Sequence, residues 1–168
     1  MSITPSQTVG PYFRIGLIHD RWSRLKASGN GRTIGVEGVV IDAEGRPVVD
    51  AMLEIWQAGR RQFSRVETDP TTGEFRFRAE LPASFAQPDG TVQAPHLSVG
   101  VFARGLLKRL YTRIYFADDP LNATDPILAL VPAERRPTLI AMPIDEGCSE
   151  FKFDVRLSGR AETVFFDC

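Results

Sequence analysis

The feature of this sequence that most restricts its fold is an alternation of apolar and charged residues with a period of two. In Glu74–Ala79, the apolar residues Phe75, Phe77 and Ala79 alternate with charged ones. Phe151–Leu157 repeats the pattern with Phe, Phe, Val and Leu. Because successive side chains of a β-strand point to opposite faces, this period predicts strands that each have one buried face.

Further short apolar runs follow one another from Ile34 onward, separated by clusters of Gly, Pro, Asn and Asp. Short apolar runs separated by turn-forming residues are typical of an all-β domain. Gly45-Arg46-Pro47 supplies turn-forming residues between two of the runs. We therefore predict a two-sheet antiparallel β-sandwich. Besides the two alternating segments, its strands are expected at Val36–Ile41, Met52–Trp56, Gln62–Glu67, Leu97–Ala103, Arg109–Phe116, Leu139–Ile144 and Thr163–Phe166.

The chain has 168 residues, which is enough for one domain. Residues 34–168 are predicted to form that domain. Residues 1–33 lack the alternating pattern and are predicted to be an N-terminal arm that lies over the sandwich or reaches a neighbour. One short helix is predicted from Asp125-Pro126, a favourable N-cap and first helical residue, through Leu130.

The charge balance argues against nucleic-acid and membrane partners. Twenty basic and 21 acidic residues leave a net charge of −1, so no basic surplus attracts polyanions. The longest apolar run is far too short to span a bilayer. The N-terminal segment has neither the charged start nor the apolar run of a signal peptide, so we expect a cytoplasmic protein. Free thiols are therefore expected at the two cysteines, Cys148 and Cys168.

Little in the sequence supports a self-contained catalytic site. The two histidines, His19 and His96, are distant in sequence and belong to no HExxH or HxH motif. A metal site with oxygen and nitrogen ligands would need His96 together with tyrosines such as Tyr12, Tyr111 and Tyr115. Tyr111 and Tyr115 lie on the same side of one predicted strand. Tyrosines in such a position more often pack against the protein with the hydroxyl edge exposed to water than bind a metal.

Six sequence blocks are spread over nearly the whole chain. They are TPSQTVGPYF at 4–13, EIWQA at 54–58, APHLSVGVFARG at 94–105, RLYTRIYF at 109–116, RRPTLIA at 135–141 and GRAETVFFD at 159–167. Together these blocks resemble the intradiol ring-cleaving dioxygenases. The resemblance implies a prealbumin (transthyretin)-like sandwich and is strongest to the iron-free α-type subunits of that family.

The same resemblance implies that this chain holds no iron. Active members bind Fe³⁺ through two tyrosines and a His-x-His pair. Here His96 matches the first histidine, but Ser98 stands at the second, and Phe85 and Phe63 stand at the tyrosine positions. A phenyl ring has no donor atom, and a serine hydroxyl is a poor replacement for imidazole. We therefore expect the Fe³⁺ to be held by a homologous β subunit, with His96, Ser98 and Phe85 as vestigial positions.

The resemblance further implies a role in a shared active site. In this family an α subunit pairs with its β partner, the pairs assemble into a larger αβ oligomer, and α residues line the pocket over the partner's iron. The positions that match are Thr8, Gly10, Pro11, Tyr12 and Arg104. The implied substrates are a catechol, protocatechuate, and O₂. Arg104 would supply a fixed positive charge for the anionic substrate.

Two alternatives stay open on the residues alone. The first is a self-sufficient intradiol dioxygenase with a displaced ligand set, for example His96, Tyr111 and Tyr115. The second is a transthyretin-like binding or scaffold module without catalytic activity. The segment DAEGRPVVDA at 42–51 is compatible with both classes, whereas the FARG block and the ETVFFD tail favour the dioxygenase. The loop after Ala58 is also shorter than expected for the family.

Overall fold

In the computed structural model, the described residues are 10, 16–18, 31–57, 59, 61–117, 119–147 and 149–167, and they are mostly β-strand. The strands are β1 Thr33–Ile41, β2 Met52–Gln57, β3 Gln62–Glu67, β4 Glu74–Glu80, β5 Phe85–Ala86, β6 Val92–Gln93, β7 His96–Phe102, β8 Leu110–Phe116, β9 Ile140–Pro143, β10 Glu150–Lys152 and β11 Val155–Arg156. The predicted arm, residues 1–33, lies largely outside these ranges, although Thr33 already belongs to β1.

The predicted β-strand character is confirmed, but the strands are hydrogen-bonded into one path instead of two fully separate antiparallel sheets. Nine of them form one hydrogen-bonded path in the order β11-β1-β10-β9-β8-β7-β2-β3, with β4 on β1. The path is continuous because β9 pairs with β8 through Ile140 and Ala141 and with β10 through Met142 and Pro143. Three of the pairings, β1 with β10, β1 with β11 and β8 with β9, are parallel.

The predicted strand Phe151–Leu157 is interrupted between β10 and β11. At the break, the carboxylate of Asp154 accepts a hydrogen bond from the Val39 amide at 3.1 Å. Gly38 lies so close to the Phe153 carbonyl that a Cβ there would collide with it. A backbone carbonyl can approach β1 this closely only where β1 has no side chain.

Thr163–Phe166, the last predicted strand, is not a strand either. Only an isolated bridge between Tyr111 and Phe166 occurs there. The short antiparallel pair of β5 and β6 was not predicted. The α-helix at Pro126–Ala129, called α1 here, confirms the predicted helix, including Asp125 as its N-cap. No helix in the described ranges is long and apolar enough to cross a lipid bilayer.

The core confirms the period of two. Phe75, Phe77 and Ala79 are at most 3% exposed, while Glu74, Arg76 and Arg78 are exposed. Each large side chain buried in this way stabilises the fold by about 1.5–3 kcal/mol. The core residues come from both halves of the strand path and form one cluster, which includes Val36, Val40, Leu53, Ile55, Val99, Val101, Ile114 and Phe151.

A smaller cluster covers the other face of β7 and β8 near α1. Tyr115 and Leu139 are fully buried there, and Leu128 of α1 and Val131 pack against them. The helix therefore shields one end of this face and leaves the other end open. The open end carries the residues that correspond to the family's metal site.

Candidate active-site remnant on the outer face of β3, β2, β7 and β8

Strand register places the residues of interest in rows on one face. Trp56 is opposite Phe63 of β3 on one side and Ser98 of β7 on the other. Ser98 in turn is opposite Arg113 of β8. Because paired residues in adjacent strands point to the same face, these four side chains form one row across the sheet. His96 lies on the same face two residues before Ser98, opposite Tyr115.

The open part of this face is a groove of about 290 Å³, which we call the outer groove. Trp56 and Phe63 form one side, with ring centroids 6.4 Å apart, and Trp56 is 42% exposed. Gly100 forms the floor, and the other lining residues are Glu54, Ser98, Arg109 and Tyr111. Because Gly100 carries no side chain, the stem of Arg109 can lie directly over the sheet at this point.

Hydrogen bonds fix most of the polar groups in the outer groove. The Tyr111 hydroxyl donates to Ser98 Oγ at 2.9 Å. Two nitrogens of Arg65 donate to one oxygen of Glu54 at 2.9 and 2.8 Å. Glu54 and Arg65 therefore form a neutral pair that is held in place by charge-assisted hydrogen bonds.

Beside the outer groove, a buried carboxylate ties β7 to α1. Asp125, which is fully buried, accepts hydrogen bonds from the amides of Ala94, Ile127 and Leu128 at 2.7, 2.9 and 2.7 Å. The Tyr115 hydroxyl also donates to it, at 3.1 Å. A carboxylate can be buried here because its lone pairs are satisfied by donors.

Burial shifts the pKa values of two groups beside the outer groove. Burial raises the pKa of Tyr115 to about 12, so its phenol stays neutral over the ordinary pH range. Burial and the neighbouring positive charge of Arg113 lower the pKa of His96. His96 Nδ1 lies 2.8 Å from the Ala94 carbonyl oxygen and donates to it when this nitrogen carries the proton. Both side chains are therefore uncharged near pH 7.

The residues at the family's iron positions do not fit an iron centre. Phe63 and Phe85 supply no donor atom, and Phe85 is 39% exposed on the small β5–β6 hairpin. Ser98 is engaged by Tyr111, which leaves His96 as the one matching imidazole. Within the described parts of the chain, no three His, Cys, Asp or Glu side chains are grouped as they would be around a metal ion.

The predicted pocket-lining residues are described only in part. Thr8, Pro11 and Tyr12 lie outside the described residues, and Gly10 is described as exposed. Arg104 follows the end of β7 in a turn with Gly105, whose φ is +91°. Its side chain is 70% exposed, and its Nε lies 3.2 Å from the Asp50 carboxylate.

Two polar residues of this region escaped the sequence analysis as site residues. Arg113 donates to the side-chain oxygen of Gln93 at 2.9 Å and lies opposite Ser98 on the neighbouring strand. Asp125 was predicted only as a helix cap, yet it also holds Ala94. The sequence did offer one signal for Arg113, which lies between Tyr111 and Tyr115 on one predicted strand. An arginine with an aromatic side chain on either side of it on the same face is unusual for a strand surface that is fully exposed to solvent.

Comparison with known proteins gives a consistent picture. A scan against models of protein families finds no match. A protocatechuate 3,4-dioxygenase alpha chain of Pseudomonas putida is 38% identical over 98% of this chain and 96% of its own length. The alpha chain of Burkholderia cepacia is 40% identical over the same shares. The Burkholderia cepacia beta chain is 29% identical over 88% of this chain and 74% of its own length.

Solved structures agree at the level of the fold. Catechol 1,2-dioxygenase of Acinetobacter sp. ADP1 superimposes with a TM-score of 0.63 at 21% identity. This match covers 84% of the present chain and 60% of the other, so the chain spans less than two thirds of that enzyme. The alignment with the Pseudomonas alpha chain extends over 192 positions, whereas this chain has 168 residues. The relative therefore carries insertions with respect to this chain.

Proposed function

This chain belongs to the protocatechuate 3,4-dioxygenase alpha chains of the intradiol dioxygenase family, and from this premise we propose that it is the iron-free subunit of such an enzyme. With its partner it would catalyse the O₂-dependent cleavage of protocatechuate between the two hydroxyl-bearing carbons, giving 3-carboxy-cis,cis-muconate in the cytoplasm. The observation that carries the proposal is the identity to two alpha chains over nearly the full length of both partners. It favours the dioxygenase over the scaffold alternative.

The partner in this proposal is a homologous β chain that holds the Fe³⁺. Two observations support it. The chain is similar to a curated beta chain, and its own outer face lacks three of the four ligands that the family uses. Intradiol enzymes depend on iron in general, so an iron-free chain needs a partner that supplies the metal. Further assembly of αβ pairs into a larger oligomer is part of the same proposal.

The contribution of this chain would be to complete the pocket over the partner's metal through Thr8, Gly10, Pro11, Tyr12 and Arg104. Arg104 has the physical properties that such a role requires. Its guanidinium is exposed, and its contact with Asp50 is an exposed ion pair, which is worth only about 0–1 kcal/mol. Arg104 can therefore exchange Asp50 for a substrate carboxylate or a partner group at little cost.

The first test is the iron content and ring-cleavage activity of this chain alone and with its β partner. The proposal expects a colourless, inactive chain and a coloured complex that opens protocatechuate. Iron binding and cleavage by the lone chain would instead establish the displaced ligand set of His96, Tyr111 and Tyr115. An iron-free, inactive complex would support the scaffold alternative.

The second test is Arg104→Ala in the co-expressed complex. Loss of one charge-assisted contact to the anionic substrate is expected to lower kcat/KM by about 10- to 150-fold. The matched control is Arg76→Ala, because Arg76 is 74% exposed and, like Arg104, forms an ion pair with a single carboxylate, that of Glu37, on strands β4 and β1. An intact Arg104→Ala complex with unchanged kinetics would exclude the pocket role.

A further inference from the structure

The outer groove combines an unpaired arginine with flat aromatic walls, and we propose that it binds a planar aromatic carboxylate without any metal. Arg109 lines the groove and makes no ion pair with the described residues; its guanidinium lies 5.9 Å from the Tyr111 ring centroid. The inference rests on the groove alone and does not depend on the ring-cleavage proposal.

The electrostatics of the outer groove favour an anion. Its one acidic lining residue, Glu54, is neutralised by the two hydrogen bonds from Arg65. The guanidinium of Arg113, which lies opposite Ser98 on β8, pairs with no carboxylate among the described residues. Its buried Nε has no hydrogen-bond partner among them either. Asp125, the buried acid nearby, already serves four donors. Among the residues that the structure describes, no carboxylate therefore compensates the positive charges of Arg109 and Arg113.

The shape of the outer groove favours a flat ring. Trp56 stands on one side, 42% exposed although it lies on a central strand, and Tyr111 stands on the other. Because Gly100 has no side chain, the stem of Arg109 lies over the floor between them, and Arg109 forms part of the groove lining. Exposed aromatic faces gain from stacking on another ring, and about 290 Å³ is ample for a single substituted benzene ring. The hydroxyls of Ser98 and Tyr111 supply polar contacts at the inner wall.

Benzoate is the probe for this site, since it has the ring and the charge but no hydroxyl groups to be cleaved. Equilibrium dialysis with the full chain, measured without the proposed β partner so that no other pocket contributes, counts bound benzoate per copy of the chain. The proposal expects Arg109→Gln and Trp56→Ala each to remove one binding site or to weaken it by at least about tenfold. Lys108→Gln, which removes the adjacent exposed charge paired with Asp167, should change binding by no more than about twofold.

Cyclohexanecarboxylate separates recognition of a flat ring from simple anion binding, because it has the same charge and no aromatic face. It is expected to bind about two- to tenfold more weakly than benzoate. Equal binding of benzoate by the wild type and Arg109→Gln would overturn the proposal, and so would equal binding of the two acids by the wild type. The dialysis count does not involve turnover, so loss of ring cleavage would not affect it.

Discussion

Asp125 offers the most stringent stability test in this structure, because one buried carboxylate holds groups from three elements. Its Oδ1 accepts from the Ile127 and Leu128 amides at the start of α1 and from the Tyr115 hydroxyl of β8. Its Oδ2 accepts from the Ala94 amide, just before β7, at 2.7 Å. The perturbations are Asp125→Ala, which removes all four acceptor contacts, and Asp125→Asn, which keeps one acceptor oxygen.

The expected magnitudes follow from these contacts. Loss of a helix N-cap costs about 0.5–2 kcal/mol. Each buried donor left without a partner costs about 1–3 kcal/mol, and the Ala94 amide and Tyr115 hydroxyl are such donors. We therefore expect Asp125→Ala to lower the free energy of unfolding by about 3–5 kcal/mol. Asp125→Asn should lower it by about 1–3 kcal/mol, since its NH₂ group would face the Ala94 N–H.

The assay is urea denaturation of the full-length protein followed by circular dichroism. Asp119→Ala is the matched control, because Asp119 also caps a helical turn but accepts only the Leu121 amide, at 2.9 Å; a loss of about 0.5–1 kcal/mol is expected. If Asp125→Ala is no more destabilising than Asp119→Ala, the buried carboxylate does not tie β7 to α1 energetically, and the reasoning fails.

Two further predictions concern His96 and Gly38. Burial and Arg113 lower the pKa of His96 in the folded protein. As the pH falls below the ordinary pKa of histidine, His96 is therefore protonated in the unfolded chain before it is protonated in the folded protein. Stability should therefore decline from about pH 6.5 downward, and His96→Gln should flatten this decline in denaturation curves; equal slopes would contradict it. Gly38→Ala should cost about 1–3 kcal/mol, because its methyl group would collide with the Phe153 carbonyl. Gly59→Ala, with open space around it, should be nearly neutral by the same assay.

Much of the strand arrangement could be predicted because burial imposes a local pattern. The interval Gln62–Glu67 coincides with β3, and the predictions for β2, β4, β7 and β8 differ from the structure by one or two residues. The prediction failed at Phe151–Leu157, where the alternation continues but the strand is interrupted between Lys152 and Val155. Asp154 there bonds the Val39 amide instead of continuing the strand, and no periodicity reveals such a long-range contact.

The candidate site divides in the same way. Residue identity alone predicts a poor iron site, since phenylalanine has no lone pair to donate wherever it lies. The resemblance predicted that Arg104 lines the partner's pocket. Arg104 is exposed next to Asp50, which is compatible with that role, and the kinetics of Arg104→Ala test it. The outer groove was not predicted, because it requires Trp56 of β2, Gly100 of β7 and Arg109 before β8 to meet on one face.

The sequence by itself determined the β character and the inward and outward faces of the long strands, since both depend on residue type and on neighbours along the chain. It also predicted a poor set of metal ligands from residue type alone. Only the tertiary structure decided that β9 joins the strands into one path and that Asp125 supports β7. It also decided that Arg109 and Arg113, beside an aromatic groove, form no ion pair with the described residues. These features arise from pairings between segments far apart in sequence, such as Ala94 with Asp125, and the register that brings such segments together is a property of the whole packed core.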